Sequence, residues 1–400
     1  MKKFIIILIL PLFLTGCINV QTDSTPAAAS GGLFRTQNLG ESWDRMTTLY
    51  TIGGKAQNFS ASSITAIAFD SLDEKAIYVG TTADGVFYSY NYGEGWFSAL
   101  RGKGSVNAIA IDPQRSCSIF VAAHNTIYKT EDCSRNWEAV YFEALPGQFI
   151  TALAIDAGNS NIVYAGTSGG AFLKSQDYGY SWNVLNRFSK NSIKKIIVQS
   201  HFDNNVLYLA TEKTGIYRSP DGGLSWKDLG DLKVDRASVD EDAIFLQKVK
   251  ERKESLKIPE DEDLPEKEYN KLLERKYPTL KGLGKNAGIY NSLSSDRSVR
   301  DGIIYANKMG IFRLNNPETG MWYFLDLLTP ESKDNIFSVI VNPLNTREII
   351  YGTSNALYRS VDGGVNWSIR KLPTDYIARV LEFSPDNKFL YLGAYMVQKK

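Results

Sequence analysis

Histidine is almost absent from this chain: His124 and His201 are the only two in 400 residues. The topology argued below sets them on opposite faces, so the sequence offers no histidine-based metal centre, and no cofactor is expected. Cysteine is nearly as scarce, with one residue near the N-terminus, Cys17, and one pair, Cys117 and Cys133. An excess of either charge is missing too: 45 Lys and Arg face 44 Asp and Glu, a net charge of +1. Nothing here supplies the basic surface that nucleic-acid binding requires. Long apolar runs are confined to the start, "MKKFIIILILPLFLTGC". Two lysines precede a run too short and wrongly flanked for a stable membrane span, so residues 1–16 read as a secretory signal.

Tryptophan is also sparse, and its placement is informative. All seven Trp end variants of one octapeptide, Ser/Thr-x-Asp/Asn-x-Gly-x-x-Trp: "TQNLGESW" at Trp43, "SYNYGEGW" at Trp96, "TEDCSRNW" at Trp137, "SQDYGYSW" at Trp182, "SPDGGLSW" at Trp226 and "SVDGGVNW" at Trp367. A looser copy, "LNNPETGMW", ends at Trp322. Each follows a short alternating run such as "GVFYS", "AFLKS" or "ALYRS", the pattern of a half-buried strand. The Asn or Asp (Asn38, Asn91, Asp132, Asp177, Asp221, Asp362) and the Ser or Thr can accept hydrogen bonds from backbone N–H groups, while Gly permits positive φ. Trp then opens the next strand and buries its ring between sheets. One acidic residue per turn is too few for a calcium loop, so the turn fastens a hairpin and holds no metal.

Two further strand-like runs precede each turn, for example "ITAIAFD" and "AIYVGT", or "ITALAID" and "IVYAGT". The unit is therefore four strands, A to D, with the turn between C and D. Trp43 to Trp96, Trp96 to Trp137, Trp137 to Trp182, Trp182 to Trp226 and Trp322 to Trp367 are separated by 53, 41, 45, 44 and 45 residues, close to the blade period of about 40–50 residues. The chain opens with only C and D, from "GLFRT", and finishes with only A and B, "ARVLEF" and "FLYLGA". Two half-blades make one whole blade if the ring closes, which also removes exposed sheet edges. The expected fold is an all-β, seven-bladed β-propeller of four-stranded antiparallel blades over residues 32–400.

The octapeptides resemble Asp-box (BNR) repeats, and the resemblance runs through nearly all of the chain after residue 31. Asp-box propellers include sialidases, xyloglucanase-type glycoside hydrolases, sortilin-type receptors and photosystem II assembly factors. The resemblance implies the fold; function has to be argued from a site.

"LTGC" resembles a bacterial lipobox, which implies a lipidated Cys17 as mature N-terminus and a monomer held on a membrane without a spanning helix. Residues 17–31 read as a flexible tether. Ile18 departs from the Asp that resembles an inner-membrane retention signal, so the expected address is the extracytoplasmic envelope, with the outer membrane open. In that oxidising setting Cys117 and Cys133 should pair. If strands B and C fold about Asn125, the two lie directly opposite, closing a loop of about 15 residues worth about 3 kcal/mol on chain-entropy grounds.

The one large departure from the repeat spans residues 233–286, between the D strand of the fifth blade and the A strand of the sixth. "DEDAIFLQKVKERKESL" and "PEKEYNKLLERKY" suggest two helices, expected as a hairpin over the ring's mouth. A D-to-A connection emerges on the face opposite the octapeptide turns. That face also carries Asp84, Arg101, His124, Arg187 and Glu212, the candidate binding residues. Two functions compete. A glycoside hydrolase needs paired carboxylates flanking a sugar, and no position here matches a sialidase arginine triad or a xyloglucanase catalytic residue. The favoured expectation is a tethered scaffold that binds a protein or glycan of the cell envelope.

Overall fold

The computed structural model describes residues 31–51, 57–201, 204–235, 239–314, 320–328 and 335–397. The expected signal segment, Cys17 and all of the expected tether but Gly31 lie outside them. Strands form seven sheets of blade type around a central channel. The innermost strands, in ring order from blade one, are Ile377–Phe383, Ile64–Phe69, Val106–Ile111, Ile150–Ile155, Ile193–His201, Tyr290–Asp296 and Ser338–Val341. Blade one is assembled from both ends of the chain: Gly32–Thr36 pairs antiparallel with Leu390–Tyr395, from Gly32 opposite Ala394 to Thr36 opposite Leu390.

Alternation buries each strand's apolar residues against a neighbouring blade, and the core is correspondingly divided. Seven clusters of buried side chains sit at the seven blade junctions. The cluster of Leu33, Ile64, Phe87, Trp96 and Tyr391 joins blades one and two, so no junction is left open. Every second strand buries one aromatic ring almost completely, such as Tyr78, Phe120, Tyr164 and Tyr208.

The octapeptide turns have a common geometry. Two consecutive residues take positive φ, for example Tyr178 at 65° and Gly179 at 86°. Ser175 Oγ accepts from the Gly179 N–H at 2.8 Å, and Asp177 Oδ1 accepts from the Ser181 N–H at 2.8 Å. The Trp182 indole N–H then donates back to the Gly179 carbonyl at 2.9 Å. At Trp137 the second position is Ser134, with φ of 69°. Residues 315–319, within the loosest copy, lie outside the described residues.

Cys117 and Cys133 form a disulfide with Cα atoms 4.2 Å apart, but the register of the hairpin between them is one residue short of direct opposition. Ile119 faces Thr130 and Ala123 faces Thr126, a register that would set Cys117 against position 132. Positive φ at both cysteines, 67° and 58°, brings their side chains together.

Blade six departs from four strands. Val234–Asp235 lies parallel to its outer strand, pairing with Trp322 and Tyr323. Thr48 to Tyr50 does the same for blade two, where Leu49 pairs with Trp96. These two covered edges hold the two fully buried tryptophans, as expected when an extra strand shields an exposed sheet edge.

The rest of the insertion forms α1 (Val239–Leu256) and α2 (Glu266–Lys276). Arg252 of α1 pairs with Glu268 of α2 at 2.6 Å, tying the two helices together, and Lys271 pairs with the same carboxylate from within α2 at 2.8 Å. Among the described residues, none from either helix lines the channel. Leu246 is 67% exposed, whereas Leu280 and Ala287, which follow the helices, are buried between blades five and six. No described helix is long and apolar enough to cross a membrane.

Candidate ligand channel

The inner strands surround a cavity of about 1100 Å³. In blades two, three and four the strand bulges at its second residue, and the bulged side chain reaches the next blade. Thr65 donates to the Val106 carbonyl, Asn107 to Ile150 at 2.8 Å and Thr151 to Ile193 at 2.6 Å; Ser338 of blade seven donates to Ala378 at 2.7 Å. These short polar residues form a belt of latches near the end of the channel where the inner strands begin. A bulge is a usual device for re-aiming one side chain.

At the equivalent positions blade five has Lys194 and blade one has Arg379, both in the channel wall, and Lys195 follows where blades two to four have alanine. Arg297 lines the other end. Among the described lining residues these four cations face one carboxylate, Glu382. Lys194 is paired with Glu212 at 3.5 Å. Burial pushes the Glu382 carboxyl up, opposed by the charge of Lys195. Burial likewise pushes the Tyr290 hydroxyl up to about 12, with Arg379 opposing and Glu382 adding to the shift. These side chains therefore share one electrostatic environment, and a low-dielectric tube focuses such a field.

The sequence-predicted face residues do not converge. Asp84 sits in a turn and accepts from Ser62 Oγ at 2.5 Å. His124 packs edge-on to Phe149, with centroids 4.6 Å apart. Arg101 and Arg187 are exposed. None of the five lines the channel; Glu212 alone reaches its wall, through Lys194. Lys195, Arg379 and Glu382 are inconspicuous in the sequence because "IKKIIVQ" and "ARVLEF" have the pattern of ordinary strands. They stand out only with the inner strands set residue against residue, as positions that break the repeat.

No known protein-family model matches the chain, and no curated protein sequence matches it. Solved structures do. A GH74 xyloglucanase from Xanthomonas campestris superposes with a TM-score of 0.56 at 14% identity, covering 84% of this chain and 51% of that one. The chain spans about half the length of that enzyme. YCF48 from Cyanidioschyzon merolae gives 0.54 at 13% identity, over 83% of this chain and 95% of that one. A structure of YCF48 bound to D1 peptide gives 0.54 at 12% identity, over 83% and 93%. The chain is a seven-bladed β-propeller. Identity this low carries the propeller fold and nothing about ligand or reaction.

The propeller is bolted by a second set of residues. The residue before the Ser or Thr of the turn is a cation in five blades, Arg35, Lys129, Lys174, Arg218 and Arg359, and Arg313 holds the corresponding strand position in blade six. Most reach the next blade. Arg35 pairs with Glu94 at 3.0 Å, Lys174 donates to the Gly222 carbonyl at 3.3 Å and Arg218 pairs with Asp301 at 3.2 Å. Lys129 lies 3.9 Å from the centre of the Tyr178 ring. Buried aspartates closing the inner strands complete the joints: Asp112 accepts from Ser160 Oγ and Tyr178 Oη, each at 2.5 Å. These acidic groups are committed to holding blades together.

Proposed function

We propose that this protein is an extracytoplasmic, lipid-anchored propeller of the Asp-box type that serves as a binding or assembly scaffold for a protein of the cell envelope. The observation that carries this reading is a channel with four cations and one carboxylate, whose latch end lies on the face where the described chain begins. Gly31 packs against Tyr376, just before an inner strand, and the Gly32 N–H donates to Ser62. With lipid on Cys17, that cationic mouth would be turned toward the membrane, and the ligand would be membrane-proximal. Glycoside hydrolysis needs two carboxylates flanking the bond, and the described lining residues include one, Glu382. Among solved propellers, YCF48 bound to D1 peptide is an instance of a protein of this fold with a peptide ligand.

The test uses the full chain in its native membrane. A photo-crosslinker placed at Tyr395, in the channel wall near the latch end, should capture an envelope protein, and the Cys17→Ala form should lose both membrane retention and capture. A crosslinker at Pro343, at the far end of the channel, should not capture it. Equal capture from both positions, or turnover of a xyloglucan and sialoside panel by the intact protein, would reject the scaffold reading.

A further inference from the structure

Ring assembly explains the latch residues Thr65, Asn107, Thr151 and Ser338, because each closes a junction through a backbone carbonyl. It does not explain Arg379 at the latch position of blade one, or Lys195 directly after the latch position of blade five. Lys195 and Arg379 have no ion-pair partner among the described residues, and both are exposed to the channel. They come from blades five and one, which stand nearly opposite in a seven-membered ring: two blades separate them one way and three the other. Two walls thus aim charge into one lumen, with Glu382 the sole opposing group among the described lining residues.

The walls offer a second kind of recognition. Each inner strand ends its sheet, so its lumen-facing edge presents backbone N–H and C=O groups without a strand partner. Such edges suit another main chain. A guanidinium presents a planar fork that matches a carboxylate, and Lys adds a point charge. The cavity, about 1100 Å³, is at the upper end of small-ligand sites and far below a folded domain.

We infer that the channel binds the carboxylates of a short peptide segment, held between Lys195 and Arg379 from opposite walls, with the peptide main chain against the inner-strand edges. The inference rests on the scaffold reading and names the class of ligand that reading leaves open. The carboxylates come from acidic side chains or from a chain terminus, and the experiment separates the two.

Fluorescein-labelled hexaglutamate with an amidated C-terminus, hexaglutamine with a free C-terminus and hexaglutamine with an amidated C-terminus are titrated against the full-length protein by anisotropy. Binding by the first assigns side-chain carboxylates, binding by the second assigns a terminus, and the third should not bind. Lys195→Gln and Arg379→Gln should each weaken the bound peptide about tenfold, the scale of one charge-assisted contact. Glu382→Gln should tighten it several-fold, and Arg101→Gln, outside the channel, should leave it unchanged. Thermal melts check that each variant is folded, and the opposite sign expected at Glu382 guards against a merely structural effect. Absence of binding by both carboxylate peptides, or binding indifferent to Lys195 and Arg379, overturns the inference. Capture of an envelope partner at wild-type level by the double Gln variant would overturn the channel site while leaving the scaffold intact.

Discussion

Asp177 is exposed and Asp132 and Asp362 are half-buried, and each carboxyl is held down to about 2. The cause is local: at Asp132 and Asp362 the backbone N–H and side-chain amide of the residue four ahead donate to the carboxylate, and at Asp177 the Ser181 hydroxyl and N–H do. A depressed folded value means stability present above the unfolded value near 3.8 and lost as pH falls through about 2. Asn38 and Asn91 fill the same position in other turns and cannot titrate. Replacing Asp132, Asp177 and Asp362 together with Asn should therefore flatten the loss of stability between about pH 4 and pH 2. Urea titrations at pH 7, 4 and 2 measure it, and an unchanged slope would show that the turns do not govern acid sensitivity. The inter-blade cations lie at the other extreme of burial. Asp296 is 1% exposed and held by Arg313, which also donates to the Thr346 carbonyl at 3.0 Å. Arg313→Met strands that carboxylate, and thermal unfolding should show a loss of about 3 kcal/mol.

At the level of elements, the insertion behaves as two parts with different duties. Val234, Leu280 and Ala287 belong to the core of blades five and six, whereas α1 and α2 close on each other. Replacing residues 239–276 with a Gly-Ser linker should leave the melting temperature unchanged, while removing 233–286 should lower it by uncovering Trp322. Calorimetry of the two deletions decides, and equal melting would refute the division. The sequence made the strands and turns legible because each turn repeats a whole set of donors and acceptors, and each strand a period of two. It did not reveal the disulfide register, which depends on positive φ at two cysteines, residue types with no intrinsic preference for it. Nor could it tell which half of a charged, amphipathic insertion would be buried. The channel cations were obscured for a related reason: lysine and arginine on an inner strand look like solvent-facing residues until the ring shows that the solvent there is enclosed.

As a whole molecule, the ring is a chain of junctions each equipped with its own apolar cluster and polar bolt, and blade one is the only blade whose integrity depends on both ends. Truncation after Tyr376 would remove its two inner strands and expose Leu33, Phe34 and Ile64, all now at most 3% exposed. The expected result is loss of the single cooperative melt and of amide protection in residues 32–36 and 64–69, read by hydrogen exchange. Retention of wild-type protection would mean that the ring does not need its seam. That seam also sets a clock. Thr36 pairs with Leu390 across the sheet, so one of the earliest strands to leave the ribosome waits for one of the last. At roughly 5–20 residues per second the wait is on the order of tens of seconds. For that interval a strand that is buried in the finished protein has no partner, and its edge is open to any chaperone, or any misplaced strand, that arrives before the end of the chain.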